Sequence, residues 1–117
     1  MQNNLLIVDD ESELLDMIKE YFADKFDSII SVKSGQEAID IIQHEEFRVI
    51  LMDFNMPRLN GVQTIEILKK NGCKSSFVLM SGWSEDVIEN QLKELPEVKT
   101  IHKPFYLKQL AELLKDC

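Results

Sequence analysis

"LLIVDDE", residues 5–11, joins an unbroken apolar run to three consecutive acids. An apolar run without alternating polar residues is typical of a strand that is covered on both faces, as in a parallel sheet. The acids then follow the carboxyl end of that strand, and open α/β sheets bind their ligands at this edge. The stretch therefore predicts both a buried parallel sheet and an acidic site at its carboxyl edge.

The rest of the chain repeats this arrangement, because short apolar runs alternate with segments whose apolar residues recur at helical spacing. "SGQE" at 34–37 has the form of a helix capping box, and "NG" at 60–61 and 71–72 brackets one helix. Helical crossovers between parallel strands are right-handed. We therefore predict an α/β fold, a doubly wound (βα)5 sandwich with one five-stranded parallel sheet. The predicted strands are residues 4–8, 28–32, 48–52, 76–80 and 98–102.

Length and charge restrict the class of protein. With 117 residues, of which 44% are hydrophobic, the chain suits one domain over residues 1–117. Its net charge of −8 disfavours direct binding to nucleic acid or to anionic membranes, because both are contacted mostly through Lys and Arg. No apolar run approaches the roughly 20 residues that span a bilayer. Cys73 and Cys117 lack metal-site or disulfide spacing. We expect a cytoplasmic protein with two incidental thiols.

Polar residues with complementary chemistry follow four of the five predicted strands. Because the carboxyl ends of parallel strands meet at one edge, we expect these side chains to converge. Clustered carboxylates repel unless a cation compensates, and a few hard oxygen ligands suit Mg2+. We interpret Glu11 separately, as negative charge at the start of the first helix. The residues expected at the edge are Asp9, Asp10, Asp53, Asn55, Ser81 and Lys103.

Asp53 has a special position, because it ends what should be the central and most buried strand. A carboxylate there can attack phosphorus and form an acyl phosphate if a metal ion screens the negative charges. Ser81 could donate a hydrogen bond to one phosphoryl oxygen, and Lys103 could pair with another. Alone, a serine after a strand would more often be a helix cap, and a lysine would more often be a solvated cation. Their joint occurrence at consecutive strand ends favours a phosphoryl site.

Taken in order and at these strand ends, the motifs are highly specific, and the chain resembles the receiver domain of two-component response regulators. The resemblance covers essentially all of residues 1–117. It implies a flavodoxin-like sheet with strand order 2-1-3-4-5. The residues that carry it are Asp9-Asp10, "DFNMP" at 53–57 with Gly61, Ser81-Gly82 and "KPF" at 103–105.

The resemblance also implies a role for each site residue. Asp53 would be the phosphoacceptor, with a sensor histidine kinase or a phosphotransfer protein as donor. Mg2+ would be held by Asp10, Asp53 and the backbone carbonyl of Asn55, with Asp9 acting mainly through a water. Ser81 and Lys103 would bind the phosphoryl oxygens, and a cis peptide would precede Pro104. The face made by the fourth helix, the fifth strand and the fifth helix would contact a downstream protein.

Three other classes of protein share parts of this pattern. A degenerate receiver would bind partners without chemistry, but such modules usually lose one of the acids or the lysine, and this chain keeps them all. A flavin-binding protein would need a phosphate loop rich in Ser, Thr and Gly after the first strand, where this chain has "VDDES" at 8–12. An aspartate-nucleophile phosphatase would need a second acid at Asn55. We therefore expect no enzyme activity on outside substrates.

Thr100 departs from the family pattern. Receivers commonly carry Tyr or Phe three residues before the active-site lysine, and that ring swings inward as the Ser or Thr of the site moves. Threonine occupies the position here and cannot move a large ring. Two alternatives remain open: another residue couples the site to the surface, or the conformational change is small.

Overall fold

The computed structural model describes residues 2–117, which form five strands and five helices in strict alternation. The strands are β1 (Asn4–Val8), β2 (Ser28–Val32), β3 (Val49–Asp53), β4 (Ser76–Ser81) and β5 (Lys99–His102). The helices are α1 (Ser12–Phe22), α2 (Gly35–Ile42), α3 (Gly61–Lys70), α4 (Glu85–Gln91) and α5 (Leu107–Leu114). None of these helices is long and apolar enough to cross a membrane.

All five strands are parallel and follow the order β2-β1-β3-β4-β5, so the predicted fold class and strand order are confirmed. The central strand is β3, with β1 and β4 on either side. The register pairs Val8 with Met52 and Asp53 with Met80, so the three inner strands end at nearly the same level. The carboxyl ends of β1, β3 and β4 therefore lie side by side at one edge of the sheet, as the sequence predicts.

Alternate side chains of each strand point to opposite faces of the sheet and divide the core in two. In β1, Leu6 and Val8 pack with α2, α3 and α4, whereas Leu5 and Ile7 pack with α1 and α5. All four side chains are fully buried. Burial on both faces explains why the run shows no polar alternation, and it leaves the strand ends as the place for polar chemistry.

The fourth helix is shorter than its sequence pattern predicts. The spacing of Val87, Ile88, Leu92 and Leu95 extends helical periodicity to residue 95, but α4 ends at Gln91. Leu92 and Leu95 lie in the turns that follow the helix, and their side chains are buried in the core, whereas Val87 is exposed. The residue that follows Leu95 is a proline, which disfavours helical geometry in the residue before it.

The predicted capping box at residues 34–37 forms only in part. The Ser34 hydroxyl oxygen accepts a hydrogen bond from the Glu37 backbone N–H at 3.1 Å, as expected. The Glu37 carboxylate reaches back to the N–H of Lys33, at 2.7 Å, rather than to that of Ser34. The helix start is still satisfied, but the reciprocal bond lies one residue earlier than in the standard motif.

The two "NG" pairs bracket α3 as predicted. At its start, the Asn60 side chain accepts from the Gln63 N–H and the Gln63 side chain accepts from the Asn60 N–H, both at 2.9 Å. At its end, Gly72 has a φ of 89° and donates to the carbonyl of Lys69, while Cys73 donates to that of Leu68. This pair of bonds is the Schellman arrangement, in which glycine supplies the left-handed residue. The helix that follows the predicted phosphoacceptor is therefore well fixed at both ends.

Asn60→Ala should lower the free energy of unfolding by about 1 kcal/mol, because it removes the acceptor for the Gln63 N–H at the start of α3. The matched control is Ser84→Ala, since Ser84 precedes α4 but makes no side-chain capping bond. Urea denaturation of the two variants measures the difference. Equal losses in both would show that the box at Asn60 contributes nothing specific.

Candidate functional site

Three aspartates from two neighbouring strands meet at the carboxyl edge of the sheet. Asp9 follows β1 and is 0% exposed, Asp53 ends β3 and is 6% exposed, and Asp10 is open to solvent. One carboxylate oxygen of each lies within 4.8 Å of the others. The structure therefore brings the three acids together as the sequence predicts. Like charges at this spacing are unfavourable unless a cation lies near them.

Lys103 reaches this acidic cluster from the end of β5. Its Nζ atom lies 2.6 Å from Asp9 Oδ2 and 3.4 Å from Asp53 Oδ1. The peptide between Lys103 and Pro104 is cis, as the resemblance implies. Because its ammonium group lies between the two buried carboxylates, the lysine compensates part of their charge. The contact with Asp9 is shorter than the contact with Asp53, and no sequence pattern indicates this difference.

The environment changes the proton affinity of two groups. The pKa of Asp53 is raised from 3.8 to about 6: burial is the main cause, the neighbouring Asp9 carboxylate adds to the rise, and the Lys103 ammonium opposes it. For Lys103, burial acts to lower the pKa, but the hydrogen bond to Asp9 and the charge of Asp53 outweigh it and hold the pKa above its usual value. Asp53 is therefore mostly ionised at neutral pH yet more basic than an exposed aspartate, and Lys103 stays protonated.

Asp9 also organises the start of α1. Its Oδ1 atom accepts a hydrogen bond from the Glu11 backbone N–H at 3.0 Å, while Oδ2 accepts from Lys103. Glu11 is the residue that precedes α1, so its charge lies at the positive end of that helix, as interpreted from the sequence. Its carboxylate also lies 3.7 Å from Lys103 Nζ, so Glu11 is a third acid beside this ammonium, after Asp9 and Asp53.

Ser81 ends β4 and is 4% exposed. Its hydroxyl oxygen accepts a hydrogen bond from the Trp83 backbone N–H at 2.9 Å. Trp83 itself is 53% exposed and begins the segment that leads into α4. A hydroxyl that accepts this bond keeps its own hydrogen available for donation. Ser81 is thus connected by one hydrogen bond to the loop before α4.

Gly61 lies against the backbone of the predicted phosphoacceptor. A Cβ atom at this position would lie 2.5 Å from the Asp53 carbonyl oxygen and 2.9 Å from Phe54 Cα. The Gly61 N–H donates to the Phe54 carbonyl at 2.9 Å, and this bond ties the start of α3 to the end of β3. Sequence reasoning identifies Gly61 only as part of a motif. The "NG" pair signals a turn there, but nothing local indicates the close approach.

Thr100 lies on β5 and lines a cavity of about 320 Å3 between α4 and β5, together with Ser81 and Trp83. The floor is apolar and includes Ile88 and Val98, which are 4% and 8% exposed. The short threonine side chain is exposed at this cavity. The place where receivers commonly carry a large ring is therefore occupied here by a small polar side chain beside open space.

The donor set suits a small, hard cation. Mg2+ prefers oxygen ligands and usually joins one or two carboxylates to a phosphate and water, which matches the three clustered aspartates. Asn55 is exposed. Because it lies two residues after Asp53, its backbone carbonyl is close to the cluster along the chain. Lys103 already forms an ion pair with Asp9. A divalent cation bound at the cluster and this ammonium would therefore both neutralise the same carboxylates.

The sequence model of the response regulator receiver domain matches residues 5–115, and the chain belongs to this family. Receiver domains accept a phosphoryl group in two-component signalling and bind Mg2+ at their acidic pocket. They are generally not classical enzymes, and their role implies a histidine kinase or a phosphotransfer protein as partner.

Individual relatives agree with the family assignment. Sporulation initiation phosphotransferase F of Bacillus subtilis is 24% identical over 115 residues, which are 98% of this chain and 93% of that protein. Response regulator SaeR of Staphylococcus aureus is 25% identical over 92% of this chain but 47% of its own length, so the chain spans about half of SaeR. Chemotaxis protein CheY4 of Vibrio cholerae, 20% identical, has the same fold, with a TM-score of 0.88 over 99% of this chain and 98% of that one.

Proposed function

We propose that residues 1–117 form one receiver domain that accepts a phosphoryl group on Asp53 from a sensor histidine kinase or a phosphotransfer protein. The observation that carries the proposal is the environment of Asp53, which is 6% exposed at the end of the central strand and 3.4 Å from Lys103 Nζ. A carboxylate whose pKa is about 6 is ionised at neutral pH and more basic than usual. It is therefore a better nucleophile than an exposed aspartate.

In the proposed transfer, a carboxylate oxygen of Asp53 forms a bond to phosphorus while the bond from phosphorus to the donor imidazole nitrogen breaks. The electron pair of the broken bond stays on that nitrogen, and Asp53 becomes an acyl phosphate. Asp53 loses no proton, because it reacts as the carboxylate. Negative charge spreads over the phosphoryl oxygens, so the neighbouring groups contribute mainly by positioning and stabilising this charge.

Lys103 and Ser81 are the groups we propose for the phosphoryl oxygens. Lys103 Nζ now donates to Asp9 and also lies close to Asp53. A phosphoryl group on Asp53 would bring new anionic oxygens within reach of this ammonium, and charge-assisted hydrogen bonds to phosphate are strong. Ser81 can donate its hydroxyl hydrogen to another oxygen, because its oxygen already accepts from Trp83.

The residues that we propose for Mg2+ are Asp9, Asp10, Asp53 and the backbone carbonyl of Asn55, with Asp9 acting through a water. Bound there, the ion supplies positive charge that neutralises the carboxylates and the incoming phosphoryl oxygens. Two features of the chain support this assignment. Carboxylate oxygens of the three acids lie within 4.8 Å of one another, and among residues 2–117 only Lys103 forms ion pairs with Asp9 and Asp53.

The output surface that we propose is the α4–β5–α5 face, formed by those three elements. Movement of the Ser81 hydroxyl toward a phosphoryl oxygen would alter its bond to Trp83 and pull on the segment before α4. A downstream protein that contacts this face would then sense the phosphoryl group. The proposal includes no direct contact with nucleic acid or with a membrane.

The proposed role is signalling rather than turnover of outside substrates. The domain would assist only its own phosphorylation and dephosphorylation, and a cytoplasmic location would give it access to its donor. The name of the Bacillus relative, a phosphotransferase, supports a place in a phosphoryl relay, since that protein matches 98% of this chain.

Intact mass after incubation with acetyl phosphate tests the proposal. The native chain should gain one phosphoryl group with Mg2+ and gain at least a hundredfold less with a chelator, because the uncompensated carboxylates repel the anionic donor. Asp53→Asn should gain none. Asp16→Asn, which removes an exposed carboxylate from α1, is the matched control and should behave as the native chain does.

Phosphorylation of Asp53→Asn at the native rate would place the phosphoacceptor elsewhere. No mass gain by a folded native chain that binds Mg2+ would instead favour the alternative function, a degenerate receiver that acts as a phosphorylation-independent interaction module. Retention of all the acids and of Lys103 argues against that alternative.

A further inference from the structure

A second concave site lies on the α1 and α5 side of the sheet, apart from the acidic cluster. It is a cavity of about 400 Å3 between the end of α1 and α5, and Arg48, which directly precedes β3, lines it. Its floor is apolar, since Phe22, Phe26 and Leu114 are 1%, 7% and 4% exposed. The volume falls in the range of roughly 300–1,000 Å3 that small-molecule sites occupy.

The lining of this cavity is basic in an otherwise acidic chain. Four of its ten lining residues are Lys or Arg, compared with 13 among all 117 residues. Lys115 pairs with Glu112, the only acid of the lining, at 3.1 Å. Lys25, Arg48 and Lys108 form no ion pair with any residue from 2 to 117. Three uncompensated cations around one cavity favour a ligand that carries two or three negative charges.

Arg48 is held in place and lacks an acceptor. Its guanidinium carbon lies 4.9 Å from the centroid of the Phe26 ring. Its Nε atom is buried and has no hydrogen-bond partner within the described part of the chain. The terminal guanidinium nitrogens are not shielded in this way and make no hydrogen bond within residues 2–117. The planar guanidinium fork matches two oxygens of a phosphate, so an oxyanion in the cavity would bond to these terminal nitrogens.

Tyr21 offers a different kind of contact at the rim of the same cavity. Its ring is 40% exposed and packs edge-on against Phe22, with centroids 4.9 Å apart. Exposed rings of this kind stack with flat heterocycles. A simple inorganic anion would use the cations and leave the aromatic and apolar surface unused. The combination of both surfaces fits an organic phosphate that carries an aromatic group.

We propose that this cavity binds a nucleotide-sized organic phosphate, with the phosphates at Lys25, Arg48 and Lys108 and the base against Tyr21. The site is independent of the acidic edge, so binding requires neither Mg2+ nor phosphorylation of Asp53. Because α5 belongs both to this cavity and to the α4–β5–α5 face, the ligand would contact an element of the proposed partner surface.

Titration of adenosine, guanosine, uridine and cytidine diphosphates into the isotope-labelled chain, with a chelator present, tests the proposal. At least one should shift the amide signals of Tyr21, Lys25, Arg48 and Lys108 saturably, with a Kd below about 1 mM. Signals at Asp9 should stay in place. Pyrophosphate and the free nucleoside should each bind at least tenfold more weakly, because each makes only part of the contacts, and added salt should weaken binding.

Two variants and one control make the test specific. Lys108→Gln and Arg48→Gln should each weaken binding by roughly tenfold, since each removes one charged contact to phosphate. Lys93→Gln makes the same change in net charge at an exposed position outside the cavity and should have no effect. Lys108→Gln leaves the contact between Arg48 and Phe26 intact, so it remains informative if Arg48→Gln does not fold.

The absence of a saturable shift with all four nucleotides would overturn the proposal, as would equal weakening by Lys93→Gln. Neither result bears on phosphorylation of Asp53, which is measured by mass in the absence of nucleotide. Failure of this proposal and failure of the proposed function are therefore separate outcomes.

Discussion

Gly61→Ala is expected to lower the free energy of unfolding by about 3 kcal/mol and to slow phosphorylation of Asp53. The new Cβ would lie 2.5 Å from the Asp53 carbonyl oxygen, 2.9 Å from Phe54 Cα and 2.8 Å from Leu79 Cδ1. The leucine side chain can rotate away, but the two backbone atoms cannot, so α3 or the end of β3 must shift. Thermal unfolding should occur roughly 10 °C lower than in the native chain.

Gly82→Ala is the matched control for this prediction. A Cβ at Gly82 meets nothing within 4 Å, and the residue lies in the loop after Ser81, at the same edge of the sheet. Its stability should stay within about 0.5 kcal/mol of the native value, as for most surface substitutions. A Gly61→Ala chain as stable as Gly82→Ala would contradict the close approach of α3 to the backbone of Asp53 and Phe54.

Asp53→Asn should have the opposite effect and raise the free energy of unfolding by about 2–3 kcal/mol at pH 7 in metal-free buffer. The carboxyl has a pKa of about 6 when folded and 3.8 ordinarily, a difference of about two units at roughly 1.4 kcal/mol each. Burial of the charge is the main cause, and Asp9 adds repulsion. The amide is nearly isosteric with the carboxyl and carries no charge to bury.

The gain should depend on pH in a defined direction. Because the folded pKa is the higher one, the folded chain binds more protons between pH 3.8 and about 6, and native stability falls as pH rises through this window. Below pH 3.8 the carboxyl is protonated in both states, so the native chain and Asp53→Asn should unfold alike. Above pH 6 the difference should be complete and constant. Denaturant midpoints across this range measure it.

Asp10→Asn provides the control, because it removes the same charge from the same cluster at an exposed position. Its gain should be clearly smaller, since little burial is relieved. Saturating Mg2+ should reduce the advantage of Asp53→Asn, because a cation compensates the native carboxylate. Equal gains for both variants at every pH would attribute the effect to overall charge rather than to the burial of Asp53.

The fold is predictable from the sequence wherever a local pattern and its tertiary cause coincide. The run in β1 is apolar because both faces of that strand are covered, so the pattern and the environment agree. At α4 the pattern and the backbone structure disagree. Leu92 and Leu95 continue the helical spacing and are buried in the core, but they lie in the turns that follow Gln91. Periodicity reports which residues are buried, and it does not report the backbone that carries them.

The sequence predicts which residues form the candidate site, but it does not predict the contacts between them. Parallel strand order brings Asp9, Asp53 and Lys103 to one edge, so residue types at strand ends suffice to expect their convergence. Which carboxylate the ammonium approaches most closely depends on side-chain geometry that no local pattern encodes. The same is true of Gly61, whose contact with the Asp53 carbonyl depends on how closely α3 approaches β3.

The bond between Lys103 and Asp9 joins residues 94 positions apart, and Lys103 follows β5, an edge strand that pairs only with β4. A polypeptide is made from its amino end, so a growing chain displays all three aspartates long before it possesses the lysine. The acids can be held together by protein charge alone only after the last strand has docked. The site is thus completed by β5, the last-made of the five strands, and a domain without β5 would keep the three acids but lack the ammonium that compensates them.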